Sequence, residues 1–500
     1  MPWPRIEALG IFVLTYCLVQ RVGLTALVMH QLVNWDGLSA LAHAADVLYR
    51  EPAINLALVG FVEPPAPALL YLPLAGLFPA LAQSGFATVI FGGVLLGLCA
   101  LLLNALGQRL GLPWWLRYPL TAIVVLHPVS LSYAALGSPL VLLLFAVLGM
   151  TKSLAAWGEE QHLRDLIGCS LYATVAVLTR YEAAFLVAAA ALYIAARCAL
   201  SGADRYSRVE GTLITFLLPI VYFGGLWIGA NWLIMGDPWH SLTATFSGTA
   251  IAPADWSSAV LLLPLLVFPL AYALAYHELR LLGPWRGGAA AALLMVAAIA
   301  MPLLWPRLYT SLGPAGSWWS PLASVSVTVL AATLVLAMVI AARYLNEPLN
   351  SKPRQRPLAG TLLLAVAAVV VLVPMRQMGV GLPASTPDAL KGYVAFAHSA
   401  VAEQEAAPRV AFEVHRGRQV VIAGWPGFAI ALFSGESGRI TVLPQVRPDA
   451  EVAQALRPGD LLVLFAARHQ WEDALGDYTT KPEWIAGQWQ GLRIIKLARP

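Results

Sequence analysis

The residues of this sequence best able to do chemistry are few and widely spaced. Asp36, in Asn34-Trp35-Asp36-Gly37, stands directly after the first long apolar run. A carboxylate there can cap a following helix by accepting backbone N–H bonds in its first turn. It can also deprotonate an incoming acceptor or bind a divalent cation, and the local sequence allows both roles. Glu63 precedes the proline-rich Pro64-Pro65-Ala66-Pro67 and reads either as a solvated loop acid or as a second acid facing the same cavity. Arg180-Tyr181-Glu182 interrupts two apolar runs. Arg180 can pair with Glu182 as structural glue or receive an anionic phosphate, for which a guanidinium is suited. Trp305-Pro306-Arg307-Leu308-Tyr309 repeats the theme, and two arginines at one mouth would suit a phosphate or pyrophosphate. His127 and His240 read as packing or loop residues rather than metal ligands. No Ser/His/Asp arrangement is visible from spacing, and the four cysteines show neither disulfide nor zinc spacing.

The chain around these residues is built for a solvent other than water. Hydrophobic residues make up 59% and charged residues 12%, with a mean hydropathy of +0.71, whereas a soluble domain carries about 25% charged residues. The net charge of +4 is scattered over short connections instead of forming a basic stripe, which argues against a nucleic-acid partner. Ionisable side chains at membrane depth cost about 2.5–3.5 kcal/mol each on insertion scales, so the few that occur near span ends are expected to be paired or functional.

A helix needs about 20 apolar residues to cross the hydrocarbon. Such runs fall at 7–29, 85–106, 117–136, 139–156, 165–179, 181–197, 209–234, 258–277, 288–305, 320–342 and 357–375. The expected fold is therefore an α-helical polytopic membrane protein of about 11 transmembrane helices, with the first run retained as a span and not cleaved as a signal peptide. With the N-terminus cytoplasmic, the loop basic residues collect on one side (Arg5, Arg109, Arg117, Lys152, Arg164 and Arg197 among them), leaving chiefly Arg50 and Arg307 opposite, as the positive-inside rule requires. An odd number of spans then puts the C-terminal segment in the periplasm, for a multi-pass protein of the cell inner membrane.

Two segments lie outside the spans. In the loop 31–83, Leu38, Leu41, Ala42, Ala45, Leu48 and Tyr49 recur at helical spacing opposite Ser39, His43, Asp46 and Arg50, the pattern of a short helix lying in the interface. The stretch Ala68–Leu81, broken by Pro73 and Pro79, reads as a second interfacial or re-entrant segment. From 385 to 500 the pattern changes to alternating helical and β-rich pieces, with strands at 418–423, 439–443, 461–465 and 492–497, so a small C-terminal α/β soluble domain is expected after a transmembrane domain of residues 1–376.

Asn34-Trp35-Asp36-Gly37 followed by Glu63-Pro64-Pro65-Ala66-Pro67-Ala68-Leu69-Leu70-Tyr71 resembles the first outer loop of GT-C superfamily glycosyltransferases, including the aminoarabinose transferase and protein O-mannosyltransferase branch known as glycosyltransferase family 39. His127-Pro128-Val129-Ser130-Leu131-Ser132-Tyr133-Ala134, Leu178-Thr179-Arg180-Tyr181-Glu182 and Asn231-Trp232-Leu233-Ile234-Met235-Gly236-Asp237-Pro238-Trp239 resemble later markers of that group, in its order, over residues 8–310. The resemblance implies a GT-C-like fold and an enzyme that moves a hexosyl or pentosyl group from a polyprenyl-phosphate donor to a glycan, lipid or protein acceptor on the outer side. It carries the catalytic role to Asp36 and substrate contacts to Glu63, Arg180, Glu182, Arg307 and Tyr309. The sequence departs from the pattern where some branches place a lysine and Glu63 stands instead, and in having no second acid beside Asp36 for a DxD-type cation site. The rival class is a multipass transporter or flippase of lipid-linked substrates, although no internal repeat is visible. A non-catalytic scaffold whose tail recruits partners is a third.

Overall fold

The computed structural model describes residues 3–50, 56–61, 63–199, 205–241, isolated positions between 294 and 339, 398–417, 420–423, 426–443, 461–465, 485–489 and 492–496. The spans expected at 258–277 and 357–375, most of those at 288–305 and 320–342, and Arg307, Tyr309 and the expected domain boundary near 376–385 lie outside these residues.

All seven of the spans expected before residue 241 coincide with helices. They are α1 (Trp3–Leu24, continued by a π-helical turn Thr25–Met29), α5 (Phe86–Arg109), α6 (Trp114–Leu126) with α7 (Pro128–Ala135), α8 (Leu140–Glu160), α9 (Leu163–Thr179), α10 (Ala184–Ala199) and α11 (Arg205–Met235). Five of these are long and apolar enough to cross a membrane, and α6 with α7 makes a sixth if the 56° bend between them belongs to one span. The bend falls at His127-Pro128, where proline cannot donate to the preceding turn and starts a new helix instead. At 17 residues α9 falls just short of a crossing length. Their large side chains face outward as well as inward, as with Leu14, Leu192, Leu218 and Leu233, which suits helices whose surroundings are lipid.

Inside the bundle, small residues bring backbones together. Gly92 of α5 lies directly on the Ala134 carbonyl of α7, Gly97 on Phe12 of α1, and Gly23 of α1 between Val89 and the Ala135 carbonyl. Close packing of this kind replaces the hydrophobic drive that lipid cannot supply. The helices run alternately, so two chemically different ends result. At one end Arg117 pairs with Glu7 at 2.6 Å, and Arg109 bonds both Glu160 at 2.5 Å and Asp165 at 3.0 Å. At the other end lie the loop after α1, the turn between α9 and α10, and the segment following α11.

That loop folds into α2 (Trp35–Tyr49), α3 (Ala66–Leu77) and α4 (Pro79–Gln83). Two sequence expectations change here. Pro73 does not break α3, which runs through it and stops at Phe78; the proline cluster instead starts the helix, with Pro67 in its first turn, where a missing N–H is harmless. The polar side of α2 also does not face water. Ser39 is fully buried and Asp46 is 9% exposed, because α2 is covered on one side by α3 and on the other by the C-terminal segment.

The C-terminal residues form α12 (Val401–His415), α13 (Pro426–Ser434) and a five-stranded mixed sheet of order β4-β3-β5-β7-β6. Its strands are β3 (Val420–Ala423), β4 (Ile440–Leu443), β5 (Leu461–Phe465), β6 (Ile485–Trp489) and β7 (Leu492–Lys496). β3 pairs in parallel with β4 and β5, while β7 runs antiparallel to β5 and β6. The sequence pattern missed β6 and α13. This segment is fastened to the outer loop through a strand pair and side-chain contacts. β1 (Leu32–Val33) pairs antiparallel with β2 (His398–Ser399). Arg50 Nη2 donates to Thr441 Oγ1 at 2.9 Å. The His43 ring meets Phe428 edge-on at 4.9 Å. Loop and tail thus share one end of the bundle.

Asp46 sits inside this junction with Oδ1 lacking any hydrogen-bond partner among the described residues. Burial pushes its carboxyl up to about 7, against the opposing pull of Arg50. A carboxyl that prefers its proton in the folded state contributes stability at low pH, which is lost as pH rises through that value. Asp46→Asn should therefore raise the thermal midpoint at pH values above about 7 and flatten the decline below it, read by unfolding scans of the detergent-solubilised protein; an unchanged pH profile would remove Asp46 from the junction's titration.

Candidate functional site

α2 begins one residue after β1, and the residue that caps it is Asn34. Its Oδ1 accepts from the Gly37 N–H at 3.1 Å, the standard satisfaction of a helix's first free donors. The capping role open to Asp36 is therefore taken by its neighbour, which leaves the Asp36 carboxylate in the first turn available for something else. It accepts a hydrogen bond at Oδ2 from Arg180 Nη2 at 2.9 Å. The Asp36 side chain is 40% exposed and that of Arg180 is 15% exposed, so the pair sits at a boundary with its acidic member open to the outside.

Arg180 reaches this place because α9 ends at Thr179. Arg180 itself is extended (φ −150°, ψ 125°), and the 3₁₀ turn Tyr181–Ala183 carries the chain into α10. Glu182 is buried, 6% exposed, and its charge, like those of Asp36 and Glu63, acts on the Arg180 guanidinium. The expected choice for Arg180 was pairing with Glu182 or meeting a phosphate; in the structure its hydrogen-bonded partner across the site is Asp36, 144 residues away.

Glu63 enters from the segment ahead of α3. Desolvation, reinforced by the negative charge of Asp36, pushes its carboxyl up to about 8, with Arg180 and Ser39 opposing. Ser39 Oγ lies 3.0 Å from the Asp36 carbonyl oxygen and 3.3 Å from Glu63 Oε2. A hydroxyl has one hydrogen. Donated to Glu63 Oε2, it opposes the rise of that carboxyl, and the Asp36 carbonyl offers the same hydrogen an alternative acceptor. The site then contains a charged acid, a neutral acid and a guanidinium within reach of one another, which is the arrangement that lets two carboxyl groups take different roles.

Packing holds α2 at this depth. Gly37 lies against the Gly137 carbonyl, where an added Cβ would stand 2.4 Å from the oxygen, and Gly137 itself has φ +68° with Thr88 beneath it. Tyr71 of α3 donates to the same Gly137 carbonyl at 3.1 Å. Buried Tyr133 of α7 lies within electrostatic reach of both Asp36 and Arg180. Across the mouth, Phe61 stacks on Trp227 of α11 at 4.9 Å with rings 6° from parallel, and Trp227 Nε1 donates to the Tyr181 hydroxyl at 2.9 Å. One turn further along α11, Asn231 Oδ1 accepts from the Ser241 backbone N–H at 3.0 Å and from the Ser241 hydroxyl, closing the Gly236-Asp237-Pro238 turn.

Asp36, Glu63, Arg180 and Glu182 are thus brought together, while Arg307 and Tyr309 lie outside the described residues. His127 is buried at the α6–α7 bend, and His240 stands in the turn after α11. Among the described residues there is no group of three or more His, Cys, Asp and Glu side chains able to hold a metal ion. Sequence reasoning missed Ser39, Phe61, Tyr133 and Trp227. Trp227 had a faint signal, being four residues before the Asn231 marker and so on the same helix face.

No family model matches this chain, and no curated protein matches it. Solved structures do. The archaeal oligosaccharyltransferase AglB from Archaeoglobus fulgidus, in complex with an inhibitory peptide and a dolichol-phosphate, matches with a TM-score of 0.48 and 11% identity over 95% of this chain and 71% of that one. The Archaeoglobus fulgidus oligosaccharyltransferase tethered with an acceptor peptide gives 0.48 and 10% over 92% and 69%. The arabinofuranosyltransferase AftD from Mycobacteria gives 0.49 and 13% over 100% of this chain and 40% of that one. These neighbours are GT-C membrane glycosyltransferases. With scores just below 0.5, the likenesses by themselves assign no function to this chain.

The contact at Gly37 makes a direct test of how the site is built. Gly37→Ala should lower the thermal midpoint by the equivalent of about 1–3 kcal/mol through overpacking, whereas Gly10→Ala, whose added Cβ meets nothing within 4 Å, should be neutral. Equal midpoints for the two variants in the same detergent would show that α2 is not seated on Gly137.

Proposed function

We propose that this chain is a membrane glycosyltransferase that passes a sugar from a polyprenyl-phosphate donor to an acceptor at the outer, periplasmic side of the inner membrane. The observation that carries the reading is the convergence of Asp36, Arg180 and Glu63 at one end of a bundle of membrane-length helices. The cationic residues of the opposite end, Arg109, Arg117 and Arg208 among them, support a cytoplasmic N-terminus, and the C-terminal residues would then form an outer domain over the loop.

The reaction such a site supports is a displacement at the anomeric carbon. Asp36, partly exposed and bonded to Arg180, takes the proton of an acceptor hydroxyl. The acceptor oxygen bonds to the sugar carbon as the bond from that carbon to the phosphate oxygen breaks, and the phosphate leaves with the electron pair. Arg180 is placed to exchange Asp36 for the departing phosphate, which relieves the base of its counter-charge as the phosphate gains one. The prenyl tail remains in the bilayer, so the reacting carbon has to be met at the membrane boundary, the level at which this pair lies. Glu63 in its neutral form adds no charge against an anionic donor. Glu182, Arg307 and Tyr309 complete the proposed donor and acceptor contacts.

General base catalysis contributes typically 10²–10⁴-fold, so Asp36→Asn should insert normally and lose about a hundredfold or more of sugar transfer. The assay uses proteoliposomes loaded with a panel of polyprenyl-phosphate hexoses and pentoses, with the envelope glycans of a deletion strain identifying the acceptor. Undiminished transfer by this variant, or translocation of the lipid-linked sugar without covalent change, would reject the assignment. Ionisation of Glu63 as pH passes about 8 places a second anion beside Arg180, so activity should fall there. Glu63→Gln, which stays neutral, should keep most activity near neutral pH and lack that alkaline fall; an identical fall in the variant would assign it to another group.

A further inference from the structure

One indole touches both of the segments that bring charge to the site. On its face Trp227 carries Phe61, two residues before Glu63; at its edge Nε1 donates to Tyr181, the residue after Arg180. Phe61 is 5% exposed and follows Gly60, whose φ of +86° and close approach to the His43 ring fix the direction in which the chain leaves α2's neighbourhood. Tyr181 in turn lies within electrostatic reach of Glu63 and hydrogen-bonds Ser241, so the segment closed by Asn231 is joined to the same ring. α11 packs on α9 and α10, yet its outward surface is almost entirely exposed among the described residues, and Trp227 is where it reaches across to the outer loop.

We infer that Trp227 is a positioning residue, a brace that holds the Glu63 segment and the Arg180 turn at a fixed separation so that Asp36 meets both. It does not touch the reacting atoms. Stacking restrains the loop that carries Glu63, and the N–H bond restrains the turn that carries Arg180, so the two restraints can be removed separately. Trp227→Phe keeps a ring against Phe61 and loses the donor; Trp227→Leu loses both; Phe61→Leu removes the stack from the loop side.

The brace can be read without any sugar substrate. Dicyclohexylcarbodiimide, an apolar reagent, adds to protonated carboxyl groups in apolar surroundings to give a stable N-acylurea, and the extent of labelling at Glu63 is followed by peptide mass spectrometry across a pH series in nanodiscs. In the parent protein labelling should fall with a midpoint near 8. In Trp227→Leu and in Phe61→Leu the loosened loop admits water, and the midpoint should move down toward the ordinary 4.5, while Trp227→Phe should keep the parent midpoint. If Trp227→Leu fails to insert, Phe61→Leu supplies the same reading. Midpoints unmoved in both leucine variants would overturn the inference. The kinetic arm rests on the transferase reading: kcat should fall on the order of tenfold or more in Trp227→Leu, with partial recovery in Trp227→Phe and little change in KM. Moved midpoints in a protein whose parent form transfers no sugar would uphold the brace and reject the transferase.

Discussion

A carboxylate and a guanidinium meeting at one end of an apolar helix bundle constrain everything around them. Arg180, its side chain only 15% exposed, requires an acidic partner such as Asp36, because an uncompensated buried charge is strongly unfavourable. Their pairing therefore fixes where the first outer helix must begin and where α9 must end. The capping of α2 by Asn34, the bare backbone contact at Gly37 and the extended residue between α9 and α10 all serve that meeting. A neutral neighbour is a further consequence, since desolvation and the adjacent negative charge of Asp36 both favour the protonated form of Glu63.

Much of this was legible in the sequence because membrane solvent enforces simple rules. Long apolar runs marked the helices up to residue 241. Asp36, Glu63 and Arg180 stood out because charge is scarce in such a chain, and scarcity directs attention without any knowledge of geometry. Arg180 was harder to assign, since its local neighbour Glu182 offered an obvious partner and no spacing rule points to Asp36, which lies 144 residues away.

What stayed hidden has a common cause. α2 showed a clean amphipathic pattern and was read as a helix with a wet face, but amphipathicity records only that one side is polar, not what covers it. The cover comes from Thr441, Phe428 and the turn around Gly438, where Gly438 abuts the Tyr49 carbonyl. Pro73 looked like a break, yet a helix whose neighbours pack around it tolerates one missing donor. Ser39 and Tyr133 looked like filler because a hydroxyl in an apolar run has no spacing signature; only the assembled geometry shows that one of them connects the two acids.

The clasp between β1 and β2 joins the start of the outer loop to residues made near the end of synthesis, and the Arg50–Thr441 contact spans 391 residues. Closing contacts so distant in sequence is slow compared with forming the helices themselves. Making α2 and covering it are therefore separable events: the helix can form from contacts within its own segment, whereas its cover is added only when residues such as Thr441 fold back against it.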